Sequence, residues 1–263
     1  MLIFHEATEE IYYWLENQPN VKEETLTDWM LYYISKMKTN VIYKAFSRRE
    51  ESVAGADWEW WFFTKKNVAY RFLVQAKKLQ QDRDNYALLA YSNQNGMQID
   101  LLRQEAKRRR AMPMYAFYTC VQPDFEWQTE NIAYFKEDIL AWCRGCLNGC
   151  YLASASDVEK ILFDQGKHRV REKEVVNYSF GLSLLDYCWG NTIKAETMLD
   201  AISYYCSADY YFEYKIEHVG NEIPKYVEVL MNCRDNRENN GVETEYREQI
   251  GNIGGIMIVD LSK

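Results

Sequence analysis

The stretch around which the chain is organised is Gly55 to Leu79, GADWEWWFFTKKNVAYRFLVQAKKL. Two runs rich in Trp, Phe, Val and Tyr flank the polar break Thr64-Lys65-Lys66-Asn67, a pattern that predicts two antiparallel strands and their turn. Because alternate side chains of a strand share a face, Asp57, Glu59, Trp61 and Phe63 point one way and Trp58, Trp60 and Phe62 the other. On the return strand Arg71, Leu73, Gln75 and Lys77 share a face. A three-residue loop centred on Lys66 sets Asp57 opposite Gln75, with Cβ atoms about 4.5–5.5 Å apart. An even loop length would shift the register by one and put the sheet between the acids and Gln75 and Lys77.

The same reading extends in both directions. Ile3 to Glu16 predicts a helix with Ile11, Tyr12, Trp14 and Leu15 available to pack, broken at Asn17-Gln18-Pro19-Asn20. Glu23 to Lys38 carries Leu26, Met30, Tyr33, Ile34 and Met37 at helical spacing, with Glu23 at the head of that stripe. Val41 to Phe46 is a short strand, followed by the polar run Ser47 to Ser52, in which Glu50 and Glu51 read as partners of Arg48 and Arg49. Gly55 permits a tight backbone approach just ahead of Asp57. Gln80 to Gly96 is polar enough for a loop or lid. Met97 to Ala111 predicts a helix whose one face holds Gln98, Leu101, Leu102, Glu105 and Ala106, and Met112 to Cys120 a strand.

The second half is less regular. A helix is expected within Phe125 to Asn148, a strand at Gly149 to Ala155, an N-capped helix start at Ser156, helices across Tyr178 to Trp189 and Thr192 to Tyr205, and a closing strand at Ile253 to Leu261. Arg234 to Gly241 reads as a polar loop. No Pro/Gly/Ser linker divides the halves. The expected organisation is an N-terminal helix (1–22), a core (23–120) and an elaboration packed on it (121–263), an α/β fold with a mixed central sheet flanked by helices.

Composition narrows the function classes. A chain of 263 residues that is 48% hydrophobic can bury a sizeable core. The N-terminus has no basic n-region or unbroken apolar segment, and no apolar run reaches the roughly 18 residues of a membrane span, so a cytoplasmic protein is expected. A formal charge of −8 argues against coating nucleic acid along the whole surface but leaves room for local basic patches. Seven cysteines with no secretion signal fit reduced thiols. Cys143, Cys146 and Cys150 cluster, yet no nearby fourth ligand completes a zinc tetrahedron. Gly-rich phosphate loops, HExxH and GxSxG are absent, and His5, His168 and His218 lack metal-ligand spacing. Tyr204, Tyr205 and Tyr210 to Tyr214 suit either base stacking or core packing.

The chemistry is concentrated at the hairpin. Hard divalent cations take oxygen ligands, often one or two carboxylates with waters and substrate phosphate oxygens. Asp57, Glu59 and the Gln75 amide oxygen can supply that shell, and Lys77 can orient a water or steady charge developing on a phosphodiester. An ordinary ion pair between Asp57 and Lys77 at a sheet edge is the alternative.

Asp57 followed by Gln75-Ala76-Lys77, in the order helix, strand, strand, strand, helix, strand, resembles the PD-(D/E)XK phosphodiesterase superfamily of restriction enzymes and junction resolvases. There an Asp on one strand precedes Glu-X-Lys on the next; Gln in place of Glu is a departure, and Gln-X-Lys also occurs in the Mrr-like restriction branch. The GADWEWW block, with EETLTD before it, also looks like an uncharacterised bacterial family belonging there. The resemblance implies a restriction-endonuclease-like core, Mg²⁺ or Mn²⁺, a nucleic-acid substrate with DNA favoured over RNA, and a role in bacterial defence. It further implies a Glu brought to the metal by a core helix, matched by Glu23 on the buried face or Glu24 in the Glu-Thr-Leu-Thr wording; both can equally serve the positive helix terminus. Gln98 resembles the helix Gln of some superfamily exonucleases. With Arg103, Lys107 and Arg110 along the same helix it offers a phosphate-backbone contact or a plain solvated face. A nuclease-like fold without catalysis, binding nucleic acid, a protein partner or a second copy of itself, is the rival reading.

Overall fold

The structure, a computed structural model, describes residues 2–47, 55–64, 68–79, 92–122, 147–163, 172–189, 192–207, 215–216, 223–233 and 241–262. Helices α1 (Ile3–Asn17) and α2 (Glu23–Met37) come first, then strands β1 (Val41–Ala45), β2 (Trp58–Phe63) and β3 (Ala69–Lys78). A two-stranded pair, β4 (Ser92–Asn93) and β5 (Gly96–Met97), leads into α3 (Gln98–Arg109) and β6 (Met112–Tyr118). The remainder contributes β7 (Cys150–Ser154), α4 (Ala155–Phe163), α5 (Glu172–Asn177), β8 (Phe180–Gly181), a 3₁₀ helix (Leu182–Cys188) and α6 (Thr192–Ser207). It ends with β9 (Lys215–Ile216), α7 (Lys225–Asn232), the short helices α8 (Val242–Glu245) and α9 (Arg247–Ile250), and β10 (Gly255–Asp260).

These elements form a mixed α/β fold. The main sheet runs β1-β10-β2-β3-β6-β7-β8, with β9 beside the start of β3. Strands β2 and β3 are antiparallel, with Trp58 opposite Val74 and Phe63 opposite Ala69. The Thr64 N–H donates to the Val68 carbonyl at 2.9 Å, so three residues separate the two ends of the ladder. Of the two registers open to the sequence this is the one with an odd loop, and continuing it by one residue sets Asp57 opposite Gln75; residues 65–67 themselves lie outside the described residues. β10 is parallel to β2 and antiparallel to β1 and separates them. Residues 121–263 therefore complete the central sheet instead of decorating a finished core, which corrects the expected division at residue 120.

Strand alternation sorts the core. Trp60, Phe62, Phe72 and Val74 pack under α1, α2, the 3₁₀ helix and α6, whereas Leu73 packs with Ile99, Leu102, Tyr115 and Val158. Trp61 and Phe63 meet Tyr226, Leu230 and Ile256. On α2 the predicted stripe is real at Leu26, Met30 and Ile34, each fully buried and worth about 1.5–3 kcal/mol of hydrophobic burial. Its last member, Met37, is exposed.

Two local expectations are corrected. Helix α4 starts from Ser154, not Ser156: the Ser154 hydroxyl accepts the Asp157 N–H at 3.1 Å and bonds the Asp157 carboxylate at 2.5 Å, so the last strand residue doubles as the cap. Tyr178 to Trp189 is β8 plus a 3₁₀ helix, not one helix. Its Asp186 has a distant job, accepting the backbone N–H groups of Phe4 at 3.0 Å and His5 at 2.7 Å at the uncapped start of α1. Ser92 to Met97 is the β4–β5 pair, which runs from the end of the expected polar lid into the first residue of the expected helix. The rest of the lid, the helix within 125–148, Glu50 and Glu51, Cys143 and Cys146, Tyr210 to Tyr214 and most of the 234–241 loop lie outside the described residues. Cys150 is buried in β7 as a free thiol.

Candidate functional site

The C-terminal end of β3 is where the chemistry gathers. Asp57 stands one residue before β2 and is half-buried. Its backbone N–H donates to the Val74 carbonyl at 2.9 Å, which ties it to the β2–β3 register. Its Oδ2 accepts the Ala76 N–H at 2.9 Å and a short hydrogen bond from Gln75 Nε2. Gln75 is 2% exposed, and its Oε1 accepts Gln98 Nε2 at 2.8 Å. Asp57, Gln75 and Gln98 thus form a continuous polar chain from β2 through β3 to the first residue of α3.

Gly55 explains why α3 comes so close. It has φ +65°, and a Cβ there would lie 2.6 Å from the Leu102 nitrogen and 2.7 Å from the Gln98 carbonyl oxygen. Only glycine allows both the backbone conformation and the contact. The helix start that carries Gln98 rests directly on the bend before Asp57.

Glu23 reaches the same place from the opposite layer. Its Oε2 accepts the Lys78 N–H at 2.7 Å. The Lys78 ammonium donates to the carbonyls of Pro19 at 2.6 Å and Val21 at 2.7 Å, clamping the α1–α2 connection to the end of β3. Burial pushes the Glu23 carboxyl up to about 7; the Lys77 ammonium pulls it down and Asp57 pushes it further up. These opposing effects put Glu23, Asp57 and Lys77 in one electrostatic neighbourhood. Lys77 is half-buried, as are Glu23 and Asp57. Glu24 is exposed, and its charge adds a smaller upward push on Glu23.

Glu59 is not part of this cluster, which corrects its expected place among the cation ligands. It is 1% exposed, and one oxygen takes Arg71 Nε at 3.0 Å, the other Arg109 Nη1 at 3.4 Å. The Tyr226 hydroxyl donates at 2.8 Å and the Trp61 indole N–H is also bonded to it. Burial raises the carboxyl, but Arg71 and Arg109 outweigh it and hold Glu59 below the usual range. Arg109 continues to the carbonyls of Gln249 at 3.0 Å and Ile250 at 2.9 Å, so Glu59 sits at the centre of a network that fixes α3 to the C-terminal segment.

The expected basic face divides. Arg103 is paired with Glu159 of α4 at 2.5 Å. Lys107 is exposed on α3, and Arg110 lies past the helix in the left-handed C-cap position with φ 53°. Gln98, expected on the other face of the helix, takes part in the polar chain at Asp57. Lys78 was not singled out in the sequence, although alternation places it opposite Lys77 and hence toward α2, a signal that was available.

Among the described residues no group of three or more His, Cys, Asp or Glu gathers as a metal shell. Mg²⁺ needs fewer: one or two carboxylates, with waters completing the octahedron. Glu23 and Asp57 are the two carboxylates at this strand end. Gln75 as placed turns its nitrogen to Asp57 and its oxygen to Gln98, so it fits only with its amide reversed.

Fold and site together define a mixed α/β protein with two half-buried carboxylates, an amide pair and an ammonium at one strand end. The chain belongs to the family described as "Family of unknown function (DUF6615)", whose model matches residues 1–253. No curated protein and no solved structure matches it.

Proposed function

We propose that this protein is a metal-dependent nuclease hydrolysing phosphodiester bonds, with DNA favoured over RNA and Mg²⁺ or Mn²⁺ as cofactor, working in the cytoplasm and serving bacterial defence. The observation that carries the reading is the meeting of Glu23, Asp57, Gln75 and Lys77 at the end of β3, although they come from α2, the bend before β2, and β3. Apart from the short β4–β5 pair before α3, the order α2, β1, β2, β3, α3, β6 is the one the PD-(D/E)XK resemblance implies, with β10 inserted between β1 and β2 in the sheet.

Glu23 and Asp57 would hold the cation, with Gln75 joining through its oxygen. A divalent ion bound there supplies charge stabilisation and a water of lowered pKa. Lys77 provides the ammonium that orients a water or steadies charge on the phosphate oxygens. Exposed Lys107 and Arg110 offer cations for the nucleic-acid backbone.

The second reading, a nuclease-like module that binds nucleic acid or a protein without cutting, is favoured by one observation: the Gln75 nitrogen fills the side of Asp57 that a ligand oxygen would need. Purified protein with Mg²⁺ or Mn²⁺ and labelled DNA and RNA, compared with Asp57→Ala and Lys77→Ala, separates the two. Metal-dependent cleavage lost in both variants supports the nuclease. Binding that survives both, with no cleavage by the wild type, supports the module.

A further inference from the structure

Gln98 Oε1 is buried and receives no hydrogen bond from any described group, while the Nε2 of the same amide donates to Gln75 Oε1 at 2.8 Å. A buried acceptor without a donor is uncommon in folded proteins and calls for a cause. Its neighbour supplies one. The Gln75 amide turns its nitrogen to the Asp57 carboxylate and its oxygen to Gln98, so Gln98 must offer a donor and leave its own oxygen idle.

We propose that Gln75 and Gln98 form a coupled amide latch and that Gln98 is the positioning residue that lets Gln75 serve a divalent cation. The inference rests on the cation-site reading above. A terminal amide torsion is soft and roughly two-fold, and a half-turn exchanges oxygen and nitrogen without moving the backbone. Without a cation Gln75 keeps its nitrogen forward, where it donates to the Asp57 carboxylate and, at 3.1 Å, to the Ala76 carbonyl, because an oxygen there would be repelled by both. With a cation at Asp57, the oxygen is preferred there. Gln75 Nε2 then faces Gln98, which must present Oε1, the atom that now lacks a donor. Neither amide can turn alone without setting like atoms against each other. Gly55 fixes the distance, since its missing side chain lets the first turn of α3 lie against the bend at Asp57.

This separates Gln75 from Glu at the same position. A carboxylate offers an oxygen on both sides, so Gln98 could keep donating to it and no turn would be needed. The two amides are therefore a matched pair.

The test is a double-mutant cycle in Mn²⁺ affinity, read by electron paramagnetic resonance of free Mn²⁺, on the wild type, Gln98→Met, Gln75→Glu and the double variant. Gln98→Met is expected to weaken Mn²⁺ binding about tenfold in the wild-type background, the scale seen when an outer partner of a metal ligand is lost. In the Gln75→Glu background it is expected to change affinity little. Equal losses in both backgrounds would overturn the latch while leaving the cation site standing; no Mn²⁺ binding by the wild type would overturn both. A second measurement does not depend on the variants folding: side-chain amide resonances of glutamine-labelled wild type during Mg²⁺ titration. Those of Gln75 and Gln98 are expected to shift together with one midpoint, and movement of Gln75 alone would refute the coupling.

Discussion

Glu59→Gln is the substitution whose outcome the structure specifies most closely. It keeps the side-chain shape and removes the one charge shared by two guanidinium groups whose side chains are 7% and 4% exposed. Arg109 retains Glu105 at 2.5 Å and two backbone carbonyls. Among the described residues Arg71 keeps neutral partners, the Arg109 carbonyl at 2.7 Å, the Tyr226 hydroxyl at 3.3 Å and the face of Trp61, 4.9 Å away, besides the new amide. Arg71 thus becomes a buried cation without a counter-charge, and breaking such a pair costs about 3–5 kcal/mol. In a chain of this size each kcal/mol moves the melting temperature by about 2–4 °C. The expected fall is therefore about 6–20 °C, measured by circular dichroism on heating and confirmed by urea midpoints. Because an apolar pair can replace a buried ion pair at little cost, Glu59→Leu with Arg71→Met should be less destabilised than Glu59→Gln alone. A loss below about 1 kcal/mol for Glu59→Gln, the range of exposed pairs, would refute the structural role.

Other substitutions probe the supports of the site and the helix ends. Gly55→Ala forces a left-handed residue against the backbone of α3 and should both lower stability and weaken Mn²⁺ binding, checked by melting and by a binding isotherm; unchanged values would show that α3 does not rest on this bend. Ser154→Ala removes the cap of α4 and should cost about 1 kcal/mol by urea denaturation. Burial raises Glu105, but hydrogen bonds from Arg108 and Arg109 overcome that and bring it from 4.5 to about 2. A depressed carboxyl stabilises the fold above its unfolded pKa and loses that contribution as pH falls through the folded one. Stability should therefore drop between pH 4.5 and about 2, and the acid limb of a pH–stability curve should flatten in Glu105→Gln. If the wild type cuts nucleic acid, Mn²⁺ should serve at least as well as Mg²⁺, because an amide in the ligand set suits the more strongly bound ion; strict Mg²⁺ preference in the cleavage assay would count against Gln75.

What could be read from the sequence is what local rules determine. Loop length and two-residue alternation decide the β2–β3 register, so GADWEWWFFTKKNVAYRFLVQAKKL sets Asp57 opposite Gln75 once the loop is odd, as it is. The helical stripe of α2 likewise carried Glu23 toward the sheet. Glu59 was misread because alternation gives a side chain's direction but not its company. Its partners Arg109 and Tyr226 are 50 and 167 residues away. The apolar run before Leu261 said strand, yet nothing local in it named β1 and β2 as neighbours. Ser154 escaped because a residue cannot be assigned from pattern alone to the end of a strand and the cap of a helix at once.

The proposed cation site at Asp57 is tested most directly by counting Mn²⁺ bound per chain in wild type, Asp57→Asn and Glu59→Gln at a temperature where all three are folded. One ion in the wild type and in Glu59→Gln, with none in Asp57→Asn, is the predicted result. Equal binding by Asp57→Asn and the wild type, or loss only in Glu59→Gln, would contradict it.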